Sequence, residues 1–341
     1  MKISRKKSFE NSIVFVDGLP GCGKTLISSI ISSFERVELL SYLYEVEHTC
    51  GLFHLDQLDL NSSASMITLA TDLKIYNMSM GRDLNFRKED LSSAYQSINP
   101  QKYIDRLSGP GDKEIIDIIY QNKAIFNFAV HNLLPYSQPI WSSLGSRALF
   151  LNILRHPVYM ITQQTLNWNN ILDDIRYFTV TFDFKGQDLP YFLKDLKRKF
   201  VKCNSFEKSV FFIEMHNRNL QRFLKKNQYH KDNILTIPFE RFVLNPDIWI
   251  DKLLSLLGTE KSDLFAETLN RQNIPRKLVN DGIDLKIYKR CGWKSPNKNL
   301  SEVELLENQK KLILSECGEE ASEVLHKISN SYEKNYWYPG K

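Results

Sequence analysis

Apolar residues along this chain fall into two patterns. Ile13-Val14-Phe15-Val16, Lys123 to Val130, Ala148 to Leu154 and Ile234 to Pro238 are short apolar runs with little polar alternation. Such runs read as strands buried on both faces, and Arg36 to Leu40 reads as a further short strand. Between them the spacing is helical: Leu26 to Ser33, Ser62 to Ser79 with Ile67, Leu69, Leu73, Ile75 and Tyr76 in step, Lys113 to Tyr120, and Pro157 to about Asn170. Pro157 suits a first helical turn. Asn245-Pro246 reads as an N-cap and first turn, opening a helix that runs to Leu257 and closes on Gly258. Gly109-Pro110-Gly111-Asp112 is a strong break between helices. Strands alternating with helices predict an α/β fold with a parallel central sheet flanked by helices. No repeat, low-complexity tract or shift in composition divides the chain. Residues 1–341 are therefore expected to form a single domain, with 171–229 as a helical insertion or cap and 295–341 as a C-terminal helical tail.

The turn after the first strand is the most informative stretch. Gly18-Leu19-Pro20-Gly21-Cys22-Gly23-Lys24-Thr25 fits G-x-x-x-x-G-K-[ST] at every fixed position. Glycines let the backbone approach an anion and turn its N–H groups toward it, and the helix that follows adds unpaired N–H groups and the positive end of its dipole. Lys24 supplies a mobile charge and Thr25 a hydroxyl. The strand–loop–helix setting makes this a phosphate-binding, Walker A-type loop and the fold a P-loop-type three-layer sandwich. In such sheets ligands bind beyond the carboxyl ends of the strands. His131 follows the strand at 123–130 and Arg155 the strand at 148–154, so topology is expected to bring both to the loop.

Composition narrows the reading. Of 341 residues, 42% are hydrophobic and 25% charged, a globular balance that argues against disorder. A net charge of +5 suits a small anionic ligand and is too weak to suggest nucleic acid. The runs Lys197-Arg198-Lys199 and Lys225-Lys226 read as solvated helix faces. Five cysteines, scattered and without a C-x-x-C, suggest free thiols in a reducing compartment. The polar N-terminus does not read as a secretory signal, and no apolar run reaches the ~20 residues of a membrane span. A cytoplasmic protein is expected.

Two stretches have ambiguous roles. Glu45-Val46-Glu47-His48 could form a substrate or metal group, but is read here as a partly exposed helix face. Gly81-Arg82-Asp83-Leu84-Asn85-Phe86-Arg87-Lys88 could line an acceptor pocket or be a solvated loop.

Phe150-Leu151-Asn152-Ile153-Leu154-Arg155-His156-Pro157 resembles the strand–loop–helix by which sulfotransferases hold the 3′-phosphate of 3′-phosphoadenosine-5′-phosphosulfate (PAPS). Ile234 to Phe242, with Asn245-Pro246 and Leu256-Leu257-Gly258, is similar to that family's later strand and helix. Lys289-Arg290-Cys291-Gly292-Trp293-Lys294 resembles its closing basic segment, and His131 sits where the family has its catalytic histidine. The resemblance implies PAPS as co-substrate and no metal. It makes Lys24 and His131 catalytic. Nucleotide binding falls to Gly18, Gly21, Cys22, Gly23, Lys24, Thr25, Arg155, Gln163, Lys289, Arg290 and Gly292. Two departures stand out: the family's usual loop lysine falls on Gly21, and its 3′-phosphate serine falls on Gln163, beside Thr162. Trp293 could stack on adenine or be a core residue, and Arg276-Lys277 could reach the nucleotide or be solvated.

The implied function is sulfuryl transfer to a hydroxyl or amine acceptor of unspecified kind. The competing readings are an ATP-dependent kinase or NTPase, for which the complete loop speaks, and a nucleotide-binding protein without turnover. A kinase needs a second carboxylate for Mg²⁺. Asp17, Glu240 and Asp173-Asp174 are its weak candidates. Glu240 reads as a residue that caps or orients the fold.

Overall fold

A computed structural model describes residues 3–170, 178–282, 297 and 299–337. Five strands form one parallel sheet: β1 (Ile13–Asp17), β2 (Ser41–Tyr42), β3 (Phe126–Ala129), β4 (Ala148–Leu154) and β7 (Ile234–Pro238), in the order β2-β3-β1-β4-β7. Val14 lies opposite Asn127 and Leu149, and Leu151 opposite Leu235. β1 is central and buried at all five positions. Its alternate side chains face two cores, as a sheet covered on both sides requires. Val14, Val16, Leu151 and Ile153 pack with Ile27, Ile30 and Ile31 of α1 (Lys24–Ile31). Ile13, Phe15, Phe128 and Phe150 pack with Val46 and Cys50 of α2 (Tyr44–His54) and with Ile67 and Ile75 of α3 (Leu60–Ser79).

The predicted second strand at 36–40 forms only an isolated bridge, Val37 to Ile125, and β2 proper is Ser41–Tyr42. Arg36 adopts a left-handed backbone, φ 62°. Glu38 is buried and held by both terminal nitrogens of Arg106, at 2.9 and 2.8 Å, and by Lys102 at 3.3 Å. Those two cations hold its carboxyl below the usual carboxylate range in spite of burial. The predicted strand at 123–130 is shorter, Phe126–Ala129, since Lys123 is also left-handed.

The stretch expected to be a helical insertion, 171–229, also contains a small hairpin, β5 (Thr181–Asp183) with β6 (Asp188–Pro190). Its main helix, Ser205–Lys226, starts with a reciprocal cap between Asn204 and Glu207 and buries Phe212, Met215, His216 and Leu220. This helix is part of the core. Helices Glu302–Ser315 and Glu319–Asn335 follow. Among the described residues no helix is long and apolar enough to cross a membrane.

The core of the α2/α3 side centres on Phe150, stacked on Phe15 at 5.0 Å and set against Trp141 at 5.2 Å. Phe150→Ala opens a cavity there and is expected to cost about 3–5 kcal/mol, read as a fall in the urea midpoint at unchanged m-value.

Candidate active site

The site is built where β1 ends. Both carboxylate oxygens of buried Asp17 accept backbone N–H groups, from Leu133 at 2.9 Å and Leu134 at 2.7 Å. The next carbonyl, that of Gly18, accepts from Lys24 Nζ at 2.6 Å and from Asn132 N at 3.2 Å. These bonds pin the exit of β3, and with it His131, to the glycine-rich loop.

β4 delivers Arg155 to the same loop. Its Nη1 donates to Gly21 O at 2.8 Å and its Nη2 to Asn280 Oδ1 at 2.6 Å. The guanidinium lies 5.6 Å from the Tyr159 ring centroid and 4.7 Å from that of Phe239, a cation–π setting for both rings. The helix from Pro157 adds Gln164, whose Nε2 donates to Pro20 O at 2.6 Å, and Gln163, which lies against Gly21. Lys24, His131, Arg155 and Gln163 are thus gathered about one loop from distant parts of the chain. Lys289, Arg290, Gly292 and Trp293 lie outside the described residues, as do Asp173 and Asp174.

The glycines are required by space as well as by conformation. A Cβ on Gly23, at φ 103°, would sit 2.2 Å from the Phe239 ring, and one on Gly18 would meet Ile153 O at 2.5 Å and Cys22 Sγ at 2.6 Å. The Cys22 thiol fills the inside of the turn, and burial pushes its pKa up. Cys22 therefore packs the loop and is not a ready nucleophile. Gly23 caps α1 without a side-chain partner, so no side chain takes up the first N–H groups of the helix. Thr25 is half-buried at that end.

His131 is half-exposed, and its Nδ1 lies 3.2 Å from both carboxylate oxygens of Glu47; its backbone N–H also donates to Glu47 at 3.2 Å. A carboxylate only accepts, so Nδ1 carries a proton, and in the neutral imidazole Nε2 is then the nitrogen with the lone pair. The stretch 45–48, read as a partly exposed helix face, has Glu45 exposed and His48 half-buried, while Val46 and Glu47 point inward. The signal was in the spacing, because Leu43, Val46, Glu47 and Cys50 make one inward stripe of α2.

Further residues surround the loop, of which Arg276 and Glu240 were named from the sequence and Glu302 was not. Phe239 lies between the loop and two guanidinium groups. The second is Arg276, with Cζ 5.7 Å from the ring centroid and Nη1 donating to Val279 O at 2.9 Å. Glu302 ties this segment down, accepting from Val279 N at 2.9 Å and from the Tyr159 hydroxyl. Glu240 is spent on the fold: it accepts from His156 N at 2.8 Å and Tyr332 Oη at 2.5 Å.

His216, from the helix Ser205–Lys226, is buried near Asp17 and Lys24, and desolvation lowers its pKa to about 4. The imidazole is neutral in the folded state at neutral pH.

Neither a family model nor a curated protein matches this chain. Among solved structures it is similar to the sulfotransferase domain of the Synechococcus PCC 7002 olefin synthase, with 12% identity, 97% of each chain covered and a TM-score of 0.48. It is similar to the sulfotransferase domain of the curacin biosynthetic pathway, with 12% identity, 97% and 99% covered and a TM-score of 0.47. A third is sulfotransferase STF9 from Mycobacterium avium, with 10% identity, 91% and 77% covered and a TM-score of 0.39. All three likenesses are distant.

The depressed pKa of His216 has a pH consequence. In the unfolded chain the group returns to about 6.5 and binds protons that the folded form refuses. Its contribution to stability is therefore full above pH 6.5 and lost as pH falls toward 4. His216→Leu is expected to flatten the fall of the denaturation midpoint across that window; an unchanged slope would show that His216 does not set it.

Proposed function

We propose that the protein is a sulfotransferase that takes a sulfuryl group from PAPS and passes it to a hydroxyl or amine acceptor. The observation that carries this reading is the meeting of two cations on one loop: Lys24 bonds to Gly18 O and Arg155 to Gly21 O. A nucleotide with a phosphate at each end of its ribose needs two such grips. The residues fit it: a glycine-lined turn, a guanidinium whose Nε has no partner among the described residues, and a second guanidinium, Arg276, across Phe239.

The bound donor supplies an activated sulfuryl group on its 5′-phosphate. The N–H groups at the start of α1 and the Lys24 ammonium stabilise the negative charge that grows on that phosphate as its bond to sulfur breaks. Arg155 holds the 3′-phosphate through a two-pronged donor that lysine cannot copy. His131 Nε2 takes the proton from the acceptor as its oxygen or nitrogen bonds to sulfur. Glu47 is a positioning residue that fixes the tautomer and steadies the imidazolium. The basic segment 289–292 is assigned to the nucleotide on the family resemblance alone.

The disposition of carboxylates favours this reading over an ATP–Mg²⁺ enzyme. Asp17 and Glu240, the strand-end carboxylates, each give both oxygens to protein donors. Glu47 is engaged with His131.

Calorimetry distinguishes the two. 3′,5′-adenosine bisphosphate is expected to bind more tightly than ATP–Mg²⁺; the reverse order would favour the kinase. In single-turnover release of the bisphosphate from the phosphosulfate donor, His131→Ala is expected to slow the reaction about 10²–10⁴-fold with nucleotide affinity retained. A variant with full activity would remove His131 from the role of base.

A further inference from the structure

A separate cavity lies behind the phosphate-type loop, between the helices Ser205–Lys226 and Glu319–Asn335 and the end of β4. Its volume is about 270 Å³. Leu19 and Arg155 form the wall it shares with the loop, but neither Gly21, Gly23 nor Phe239 lines it. At its inner end are Asn152 and His216, both almost fully buried. Asn152 Nδ2 donates to Thr236 Oγ1 at 3.2 Å, while its Oδ1 is buried with no partner among the described residues. A buried amide oxygen left unpaired costs free energy, so something with a donor belongs there. His216, neutral at neutral pH, offers one ring nitrogen as donor and one as acceptor.

The mouth has a different character. Arg218 is paired with Glu214 at 3.3 Å, which neutralises both. Lys327, from the other helix, also lines the cavity, is exposed, and no ion pair engages its ammonium among the described residues. The groups at issue are thus a cation at the rim and, deeper in, an unpaired hydrogen-bond acceptor and a neutral imidazole. The cavity is at the small end for ligand pockets, which typically span about 300–1,000 Å³. It is sized for a metabolite, not for a lipid chain or polymer.

We propose that this cavity binds a small hydroxy-carboxylate, with its carboxylate at Lys327 and a hydroxyl donating to Asn152 Oδ1. The site shares the wall of Leu19 and Arg155 with the proposed nucleotide cleft but none of Gly21, Gly23 or Phe239, and it does not depend on which nucleotide occupies that cleft. Because Leu19 belongs both to this cavity and to the loop, occupancy here presses on the element that holds Lys24.

The test is titration calorimetry of the full chain with glycerate, with propionate as a probe of similar size lacking hydroxyls. Glycerate is expected to bind with one-to-one stoichiometry and at least about tenfold more tightly than propionate. Lys327→Glu, an exposed substitution that leaves the fold intact, is expected to weaken it about tenfold or more. Binding should persist in saturating 3′,5′-adenosine bisphosphate. Absence of saturable binding means that water alone fills the cavity and overturns the proposal. It is also overturned by equal affinity for propionate, by indifference to Lys327→Glu, or by competition with the bisphosphate. Competition would itself show that the bisphosphate binds, and the other outcomes do not bear on that, so the donor assignment stands or falls separately.

Discussion

The carboxylate of Asp17 is buried, and the N–H groups of Leu133 and Leu134 hold it there. A buried charge without such partners would cost several kcal/mol, so the turn after β3 has to come to the end of β1. The adjoining carbonyl of Gly18 then binds Asn132 from the same turn and Lys24 from α1. One dipeptide at the end of the central strand thereby fixes two segments, the turn after β3 and the start of α1. His131, Lys24 and the glycine turn take their relative positions from it. Arg155 is added from the neighbouring strand through Gly21.

The cations of the site are engaged with the protein itself. Lys24 and Arg155 each bond to a carbonyl of the loop they serve. Under the proposed function a phosphate replaces these bonds, each a charge-assisted contact contributing on the order of 1.5–3 kcal/mol. The exchange favours a dianion, which attracts an ammonium or guanidinium more strongly than a carbonyl dipole does. The same bonds hold the side chains near their working positions, which limits the ordering that binding must add. Phe239 contributes by sterics: it closes the space over Gly23 and presents its ring to two guanidinium groups.

Much of this was legible in the sequence. The loop could be read because its glycines, lysine and threonine stand at fixed spacings between an apolar run and a helix. The parallel sheet could be read because β1 and β4 are unbroken apolar runs, the signature of burial on both faces. The strand at 36–40 could not be called correctly, because its residues look like a strand while their partners are elsewhere. Glu38 is drawn to Arg106, 68 residues away, and Arg36 turns left-handed. The inward place of Glu47 was hidden for a related reason. A carboxylate on a helix is usually solvated, and only its place among Leu43, Val46 and Cys50 showed that it points inward. The pairing with His131 spans 84 residues and left no local trace. His216 and Asn152 are long-range placements of the same kind.

The account's central claim is that the loop and Arg155 grip two phosphates of one nucleotide at once. A ligand–protein double-mutant cycle tests it most directly: the affinities of 3′,5′-adenosine bisphosphate and 5′-AMP are measured for the native protein and for Arg155→Met. Loss of the 3′-phosphate should weaken binding to the native protein by about 10–100-fold, as expected for a charge-assisted pair, and should cost the variant little. Equal losses in both proteins would mean that Arg155 does not touch the 3′-phosphate, and the two-grip account would be wrong.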